Sequence, residues 1–456
     1  LEFRRVLFRS GIAFFCGPGG SQVPRVVGDA ISKAITQATS NRGTVTLSER
    51  NADESVLGYR SAVSDLLNCD PRGVIYGRSW TQLTYDLSRT LAKQWGPNDE
   101  IIVSRLDHDS NIRPWIQAAE ARGAKVLWAE FDRATGELPV SAVTDLLSSK
   151  TKFVAVTGAA NTLGTRPDTA AIGKAVKANG SLFLVDGVHL TPHQLIDFKA
   201  MPADFFGFSS YKILGPHCGT LVSDPALLEG LMTDKLRPST MVVPERFEFG
   251  TLPYEIMAGV TASIDYIAGM DGAASGSRRE RIVASMKALE AYEEELFKYL
   301  EAQLSTLPGI TLYGHAARRT PTLYFNFAGR TGRSVYEFLA TKKINAPAGN
   351  FYAYEVSLAL GLGDEGAVRT GLAPYSTKDD VDRLIATSDT QGTRPSIRQA
   401  PRQRLPGDAD VDEDLAFGRT QDSAGQHGVR RARRTPGDQR SEEHTSELQS
   451  HSFISY

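Results

Sequence analysis

Short apolar runs alternate with amphipathic segments from about residue 74 to residue 223. The runs IIVSR, KVLWAEF, TKFVAVTG, SLFLVDGV and GTLVS have the length and composition of buried strands. After the run GVIYG, the residues Leu83, Leu87 and Leu91 recur four apart, which puts them on one face of a helix. This alternation predicts an α/β fold with a mostly parallel sheet.

Polar side chains follow two of these predicted strands. SLFLVDGVH is closed by Asp186 and His189, and ADFFGFSSYK ends at Lys212. Ligands of open α/β sheets bind beyond the carboxyl ends of the strands, so these side chains are expected in one crevice. Pyridoxal 5'-phosphate needs a lysine amine for a Schiff base and an acidic partner for its ring nitrogen. Lys212 and Asp186 fit these two roles, and Lys212 also fits the role of general base.

More ordinary interpretations of the same residues exist. An Asp after a strand often caps a helix, and a Lys there usually faces solvent. His189 and His193 lie four apart, as metal ligands on a helix do, but Pro192 argues against a regular helix. No metal site is predicted.

The predicted helix after GVIYG begins near Ser79, Trp80 and Thr81. A helix N-terminus offers unpaired N–H groups and the positive end of the helix dipole. A phosphate is therefore expected at these three residues, with an ordinary helix cap as the alternative.

Seven segments resemble, in the same order, motifs of the class V aminotransferase family. This family consists of fold type I pyridoxal phosphate enzymes, and the most similar branch is the cysteine desulfurase-like one. The resemblance covers about residues 11–387 and is carried by FFCGPGGSQVP, LDHDSNIRPW, GAANTLGT, VDGVH, SSYKILGPH, RFEFGTLPYE and AVRTGLAPYSTKDDVDRLI. It implies a large domain with a mostly parallel sheet and a smaller α+β C-terminal domain.

The resemblance also implies roles for individual residues. His108 would stack on the cofactor ring, Asn161 would approach its phenolic oxygen, and Thr251 would touch the phosphate from the partner subunit. Arg369 would clamp the substrate carboxylate, a role that suits the planar fork of a guanidinium. The remaining cofactor-binding residues are those of the VDGVH and SSYKILGPH segments: Asp186, His189, Ser209, Tyr211 and Lys212. Lys212, Asp186 and His108 are the predicted catalytic residues.

The predicted reaction is less specific than the predicted cofactor. Cysteine desulfurases carry a nucleophilic cysteine on a loop before the closing arginine, and the corresponding loop here, residues 343–355, has none. Cys16 and Cys218 are better explained as buried structural cysteines. The leading hypothesis is cleavage of the C–S bond of cysteine or a related amino acid. Aminotransferase, epimerase or decarboxylase chemistry is the alternative, and a non-catalytic cofactor-binding or interaction protein is the alternative of another class.

The chain is expected to contain six parts. Residues 11–22 form a glycine-rich segment, 23–236 a large cofactor-binding domain and 237–387 a small domain with the loop that contacts the partner of a homodimer. Residues 1–10 and 440–456 match translations of a sequencing adapter and are interpreted as artefacts. Residues 388–439 are rich in arginine and lack apolar periodicity, which predicts a frameshifted or disordered tail.

Composition limits the partners. A formal net charge of -2 offers no basic surface for nucleic acid or an anionic membrane. No apolar run is long enough to span a bilayer. The three cysteines form no CxxC pair, which suits a reducing cytoplasm. The expected ligand besides the cofactor is a small molecule, and the resemblance implies that it is an amino acid.

Overall fold

The structure, a computed structural model, describes residues 11–392. Its strands are β1 Ala13–Phe14, β2 Val74–Gly77, β3 Glu100–Ser104, β4 Lys125–Ala129, β5 Thr151–Thr157, β6 Leu182–Asp186, β7 Phe205–Ser209, β8 Gly219–Ser223, β9 Ile310–Tyr313, β10 Thr322–Phe327, β11 Ile344–Asn345, β12 Ala348–Gly349 and β13 Ala367–Gly371. Its helices are α1 Arg25–Thr36, α2 Leu47–Leu67, α3 Trp80–Ala92, α4 Arg113–Glu120, α5 Ser141–Thr144, α6 Thr169–Ala178, α7 Pro225–Gly230, α8 Tyr254–Ala268, α9 Arg278–Leu304, α10 Gly332–Thr341, α11 Tyr354–Ala359 and α12 Lys378–Gly392.

The main sheet has seven strands in the order β2-β8-β7-β6-β5-β3-β4. The pairs from β7 to β4 are all parallel, whereas β8 runs antiparallel to both of its neighbours, β7 and β2. The predicted α/β fold with a mostly parallel sheet is confirmed. The reversed direction of β8 was not predicted, because GTLVS has the same apolar character as the parallel strands.

Both faces of this sheet are covered, which explains why its central strands are almost continuously apolar. Val154 and Phe183 face a core that includes residues of α2 and α8, while Phe153 and Leu184 face the opposite core. Leu83, Leu87 and Leu91 of α3 are all buried in that second core, as their spacing predicts.

A second, smaller sheet has the order β12-β13-β10-β9 and is antiparallel throughout. The short strand β1 pairs in parallel with β11, so the glycine-rich segment lies beside this sheet. Helix α9 joins the two parts of the fold, since Leu289 packs in the core of the main sheet and Leu296 in the core of the smaller one. The described residues belong to one compact unit, and the domain boundary at residues 236–237 stays a prediction.

Helix α12 continues to Gly392, past the predicted end of the small domain at residue 387. The predicted artefacts at 1–10 and 440–456 lie outside the described residues, as does the predicted tail from residue 393 onward. No helix within residues 11–392 is both long and apolar enough to cross a membrane.

Candidate active site

Asp186 and Lys212 lie at the carboxyl ends of neighbouring strands. Asp186 is the last residue of β6 and is paired with Gly207 of β7. Lys212 closes a single turn of 3₁₀ helix, Ser210–Lys212, that follows β7 directly. The side chains are buried, with 4% and 6% of each residue exposed. The structure therefore brings together the two residues that the strand-end pattern singled out.

The carboxylate of Asp186 is held by two donors. Its Oδ2 accepts a hydrogen bond from Trp80 Nε1 at 2.7 Å, and its Oδ1 accepts one from the Val188 N–H at 2.9 Å. A glycine at 207 allows the indole this close, because a Cβ there would fall 1.8 Å from the Trp80 ring. Burial raises the pKa of Asp186, and the two hydrogen bonds and Lys212 oppose that rise.

The surroundings of Lys212 disfavour the protonated form of its amine. Burial and the positive charge of Arg369 lower its pKa from 10.5 to about 7, although Asp186 opposes the shift. A substantial fraction of Lys212 is therefore neutral at neutral pH, as a nucleophilic amine must be.

Asn161 and His189 each have a buried polar atom with no hydrogen-bond partner in residues 11–392. Asn161 donates from Nδ2 to the Phe351 carbonyl at 2.9 Å, while its Oδ1 has no hydrogen bond within the described part of the chain. The same is true of His189 Nδ1. Buried polar atoms usually have partners, so these atoms mark a space suited to a polar ligand.

His108 lies after β3 on the 105–113 segment. Its Nδ1 accepts a hydrogen bond from the Ser110 N–H at 3.1 Å. Burial, Lys212 and Arg369 lower its pKa to about 3. The ring therefore stays neutral at physiological pH, as a ring that stacks on a cationic heterocycle should.

Ser79 caps α3 by accepting a hydrogen bond from the Gln82 N–H at 3.1 Å, which is the ordinary helix cap given above as the alternative. Binding of a phosphate at Ser79, Trp80 and Thr81 stays a prediction. Gly219 of β8 lets the sheet approach this turn, since a Cβ there would fall 2.4 Å from the Trp80 nitrogen. Only the backbone of Trp80 is available to a phosphate, because its side chain is turned inward to Asp186.

Arg369 lies on β13, buried and opposite Tyr324 of β10. Its Nη1 donates to the Asn161 carbonyl at 3.0 Å, and its guanidinium carbon lies 3.7 Å from the centre of the Phe351 ring. Nε has no partner among the described residues, and Nη2 lies beside Gly19. The edge formed by Nε and Nη2 is therefore the one left for a carboxylate. Burial lowers the pKa of Arg369 to about 9.

The 343–355 loop covers this pocket. Phe351 and Tyr352 adopt left-handed conformations with φ of 52° and 59°, which is uncommon for large side chains. The Tyr352 carbonyl accepts from the Asp109 N–H at 2.7 Å, and the Tyr352 ring lies 5.4 Å from that of His108. At the end of the loop, Glu355 forms ion pairs with Arg105 and Arg113. Phe351 was missed by sequence reasoning, because an aromatic residue in a loop carries no signal of its partner.

The two thiols near the site, those of Cys16 and Cys218, both have raised pKa values. Cys16 Sγ lies 3.4 Å from Asn345 Nδ2, and burial raises the pKa of Cys16. Cys218 is buried beside Ser210, and burial raises its pKa to about 12. Neither residue has the lowered pKa of a reactive cysteine.

The three remaining predicted residues lie in different surroundings. Ser209 is buried at the end of β7, and Tyr211 stacks on His217 with ring centres 5.0 Å apart. Thr251 is exposed and lines a cleft of about 350 Å³ together with Tyr76 and His217. The structure does not place Thr251 among the residues around Lys212, and its contact with a partner subunit stays a prediction.

Comparison with known families agrees with this arrangement, since the Aminotransferase class-V family profile matches residues 13–384. The chain belongs to this family. A cysteine desulfurase of Yersinia pestis is 30% identical over 365 residues, which cover 76% of this chain and 85% of that protein. An uncharacterised protein of Mycobacterium tuberculosis is 36% identical over 377 residues, which cover 82% and 94%.

Two solved structures share the fold. The cysteine desulfurase CsdA of Escherichia coli superposes with a TM-score of 0.73 at 24% identity, covering 84% of this chain and 95% of its own. A cysteine desulfurase of Thermococcus onnurineus NA1 gives a TM-score of 0.75 at 22% identity, covering 84% and 94%.

The class V family depends on pyridoxal phosphate. The site fits that group in three respects: Lys212 has a lowered pKa, Asp186 ends the adjacent strand, and Asn161 Oδ1 and His189 Nδ1 are buried with no hydrogen-bond partner among residues 11–392. The roles of the individual residues are taken up as a proposal below.

Proposed function

We propose that this protein is a pyridoxal phosphate enzyme that acts on an α-amino acid, with Lys212 as the residue that holds the cofactor. The observation that carries the proposal is the burial of Lys212 beyond the end of β7, next to the strand that ends at Asp186, with a pKa that burial and the charge of Arg369 lower to about 7. A protein that only bound the cofactor would not need an amine tuned in this way. When bound, the cofactor supplies an electron sink for negative charge at the substrate Cα.

The protein residues would perform the remaining tasks. Asp186, whose carboxylate accepts hydrogen bonds from Trp80 Nε1 and the Val188 N–H, would also accept one from a protonated ring nitrogen. The neutral amine of Lys212 would take the proton from the substrate Cα and return it. Arg369 would fix the substrate carboxylate through its Nε and Nη2 edge.

The other cofactor contacts would follow from the local geometry. The neutral ring of His108 would cover one face of the cofactor, and the N–H groups at the start of α3, with Ser209, would hold the phosphate. Asn161 and His189 would contact the polar edge of the ring. Tyr211 and, from a partner subunit, Thr251 would complete the phosphate end.

Cleavage of the C–S bond of cysteine or a related amino acid is the first candidate reaction. The named relatives at about 30% identity support it, since cysteine desulfurases are among them. The 343–355 loop carries no thiol, so sulfide would leave directly instead of passing to a loop cysteine. A second candidate, transfer of the amino group, is favoured by the same missing thiol and by resemblance to an aminotransferase-like protein of Gibberella zeae, 31% identical over 334 residues.

A homodimer with shared active sites belongs to the same proposal. Met241, Val242 and Phe249, on the segment that precedes Thr251, are exposed in the single chain. A second copy would cover them. A cytoplasmic location stays a prediction.

The test uses the full-length purified chain loaded with pyridoxal phosphate. Absorbance near the visible range reports loading, and a panel of amino acids is screened for sulfide, for keto acid and for inversion at Cα. Sulfide from L-cysteine supports C–S cleavage, and keto acid formed with a second keto acid as acceptor supports amino transfer. A loaded protein that changes none of the amino acids would contradict the enzymatic proposal.

A further inference from the structure

His189 is fixed by two threonines of the smaller sheet. Its Nε2 lies 3.0 Å from both Thr320 Oγ1 and Thr322 Oγ1. When the Thr320 hydroxyl donates its proton to the Gly164 carbonyl, 3.3 Å away, its oxygen accepts from the ring. In that arrangement Nε2 carries the ring proton, and Nδ1 is an acceptor with no protein partner in the described range. A threonine hydroxyl can also donate to Nε2, so the tautomer depends on how the ring is held.

A second buried histidine lies behind the first. The rings of His189 and His193 meet edge to face, with centres 5.3 Å apart and planes at 78°. His193 Nδ1 lies 2.8 Å from Glu293 Oε2, and the two side chains are only 5% and 3% exposed. A carboxylate buried this deeply needs such a partner, because an uncompensated charge there is strongly unfavourable.

Glu293 lies at the point where α9 changes its packing partner. Leu289, one turn earlier, is in the core of the main sheet, and Leu296, nearly one turn later, is in the core of the smaller sheet. The two histidines thus contact two elements of the small domain. His193 contacts α9 through Glu293, and His189 contacts β10 through Thr322.

The contact with β10 leads directly to the substrate clamp. Thr322 of β10 pairs with Gly371 of β13, and Tyr324, two residues further, pairs with Arg369. His189 is therefore connected, through Thr322 and the pairing of β10 with β13, to the strand that carries Arg369.

We propose that Glu293 is a positioning residue: acting through His193, it fixes the ring of His189 and thereby holds Arg369 at its working distance from Lys212. The inference rests on the proposed function, since it assigns Arg369 to the substrate carboxylate. Glu293 itself touches neither cofactor nor substrate in this account.

The test compares Glu293→Gln with Glu294→Gln, a neighbouring change on the exposed face of α9, where Glu294 forms an ion pair with Lys298. The first readout is ¹⁵N NMR of histidine-labelled, cofactor-free protein. We expect wild type and Glu294→Gln to show His189 as one neutral tautomer with the proton on Nε2, and Glu293→Gln to show a mixture.

The second readout is a titration of the cofactor-loaded protein with L-alanine, followed by cofactor absorbance. We expect about 3- to 30-fold weaker binding in Glu293→Gln, in the range typical of residues that couple two sites, and no change in Glu294→Gln. If Glu293→Gln does not fold, Glu293→Asp, which keeps the carboxylate but shortens it, must show the same two changes at smaller size.

Glu293→Gln could lower the melting temperature and leave both the His189 tautomer and the L-alanine affinity unchanged. That result would overturn the proposal, because it would show that the Glu293–His193 pair only stabilises the fold. Failure of the proposed function can be distinguished from failure of this inference. If the proposed function is wrong, wild-type protein gives no absorbance change with L-alanine, while the NMR comparison still shows whether Glu293 controls the His189 tautomer.

Discussion

The two sides of the pocket are built differently. On the cofactor side, Asp186 and Lys212 come from the ends of adjacent strands of one sheet and are fixed by backbone pairing and by Trp80. On the substrate side, Arg369, Phe351 and Gly19 come from a strand, a loop and the N-terminal segment, which are far apart in the chain. Side chains at the ends of paired strands are held in rigid positions. The sequence of one separate segment, by contrast, can change without a change in the others.

This difference explains why the cofactor was easier to predict than the reaction. Chemistry common to a whole family is expected on the rigid side, and chemistry particular to one member on the side built from loops. The 343–355 loop illustrates the second case, because here it presents aromatic rings and no cysteine.

Replacement of Lys212 should give the largest effect, because it removes the residue that holds the cofactor. Lys212→Ala is expected to lower kcat by about two to four orders of magnitude, the range for loss of a positioned general base. Its visible cofactor absorbance should also disappear. Lys199→Ala, at an exposed position, is the control. Retained absorbance and activity in Lys212→Ala would show that the residues of the cofactor side are wrongly assigned.

Arg369→Lys tests the substrate side. A lysine cannot form the paired hydrogen bonds of the Nε and Nη2 edge, so KM for an amino acid should rise about 10- to 100-fold with a smaller change in kcat. Arg333→Lys, at an exposed pair with Glu337, should leave both constants unchanged. An unchanged KM in Arg369→Lys would remove this arginine from the substrate site.

Trp80→Phe changes the cofactor side while leaving Asp186 and Lys212 themselves in place. Loss of the indole N–H removes a hydrogen bond that lowers the pKa of Asp186, so that pKa should rise. Since the ionised carboxylate is the active form and is lost as pH falls, the acid limb of the activity profile should move about 0.5 to 1 unit to higher pH. Trp95→Phe, which changes a tryptophan packed on Phe153, should not move it. A shift to lower pH would contradict the role of Trp80.

Phe351→Leu should have the smallest effect. It keeps an apolar side chain but removes the ring over Arg369, a contact worth about 1 kcal/mol, so KM should rise about fivefold. Leu358→Ala on α11 is the control, because Leu358 is exposed. An equal change in both variants would indicate general loosening of the loop and no specific contact with Arg369.

The fold and the cofactor side could be predicted because strand periodicity is local and strand ends converge by topology. Leu83, Leu87 and Leu91 indicated α3, and Asp186 and Lys212 followed from two strand ends. The bond from Trp80 to Asp186 could not be predicted, since it depends on the space left by Gly207 across the sheet. The contacts of Phe351 with Arg369 and of His193 with Glu293 join residues distant in sequence, and neither residue type signals its partner.

The most direct test of the central claim is to load the wild-type protein with pyridoxal phosphate, reduce it with borohydride and map the modified lysine by peptide mass spectrometry. The account predicts a stable phosphopyridoxyl group on the peptide that contains Lys212 and on no other lysine. Modification of a different lysine, or none in a protein that has bound the cofactor, would contradict it.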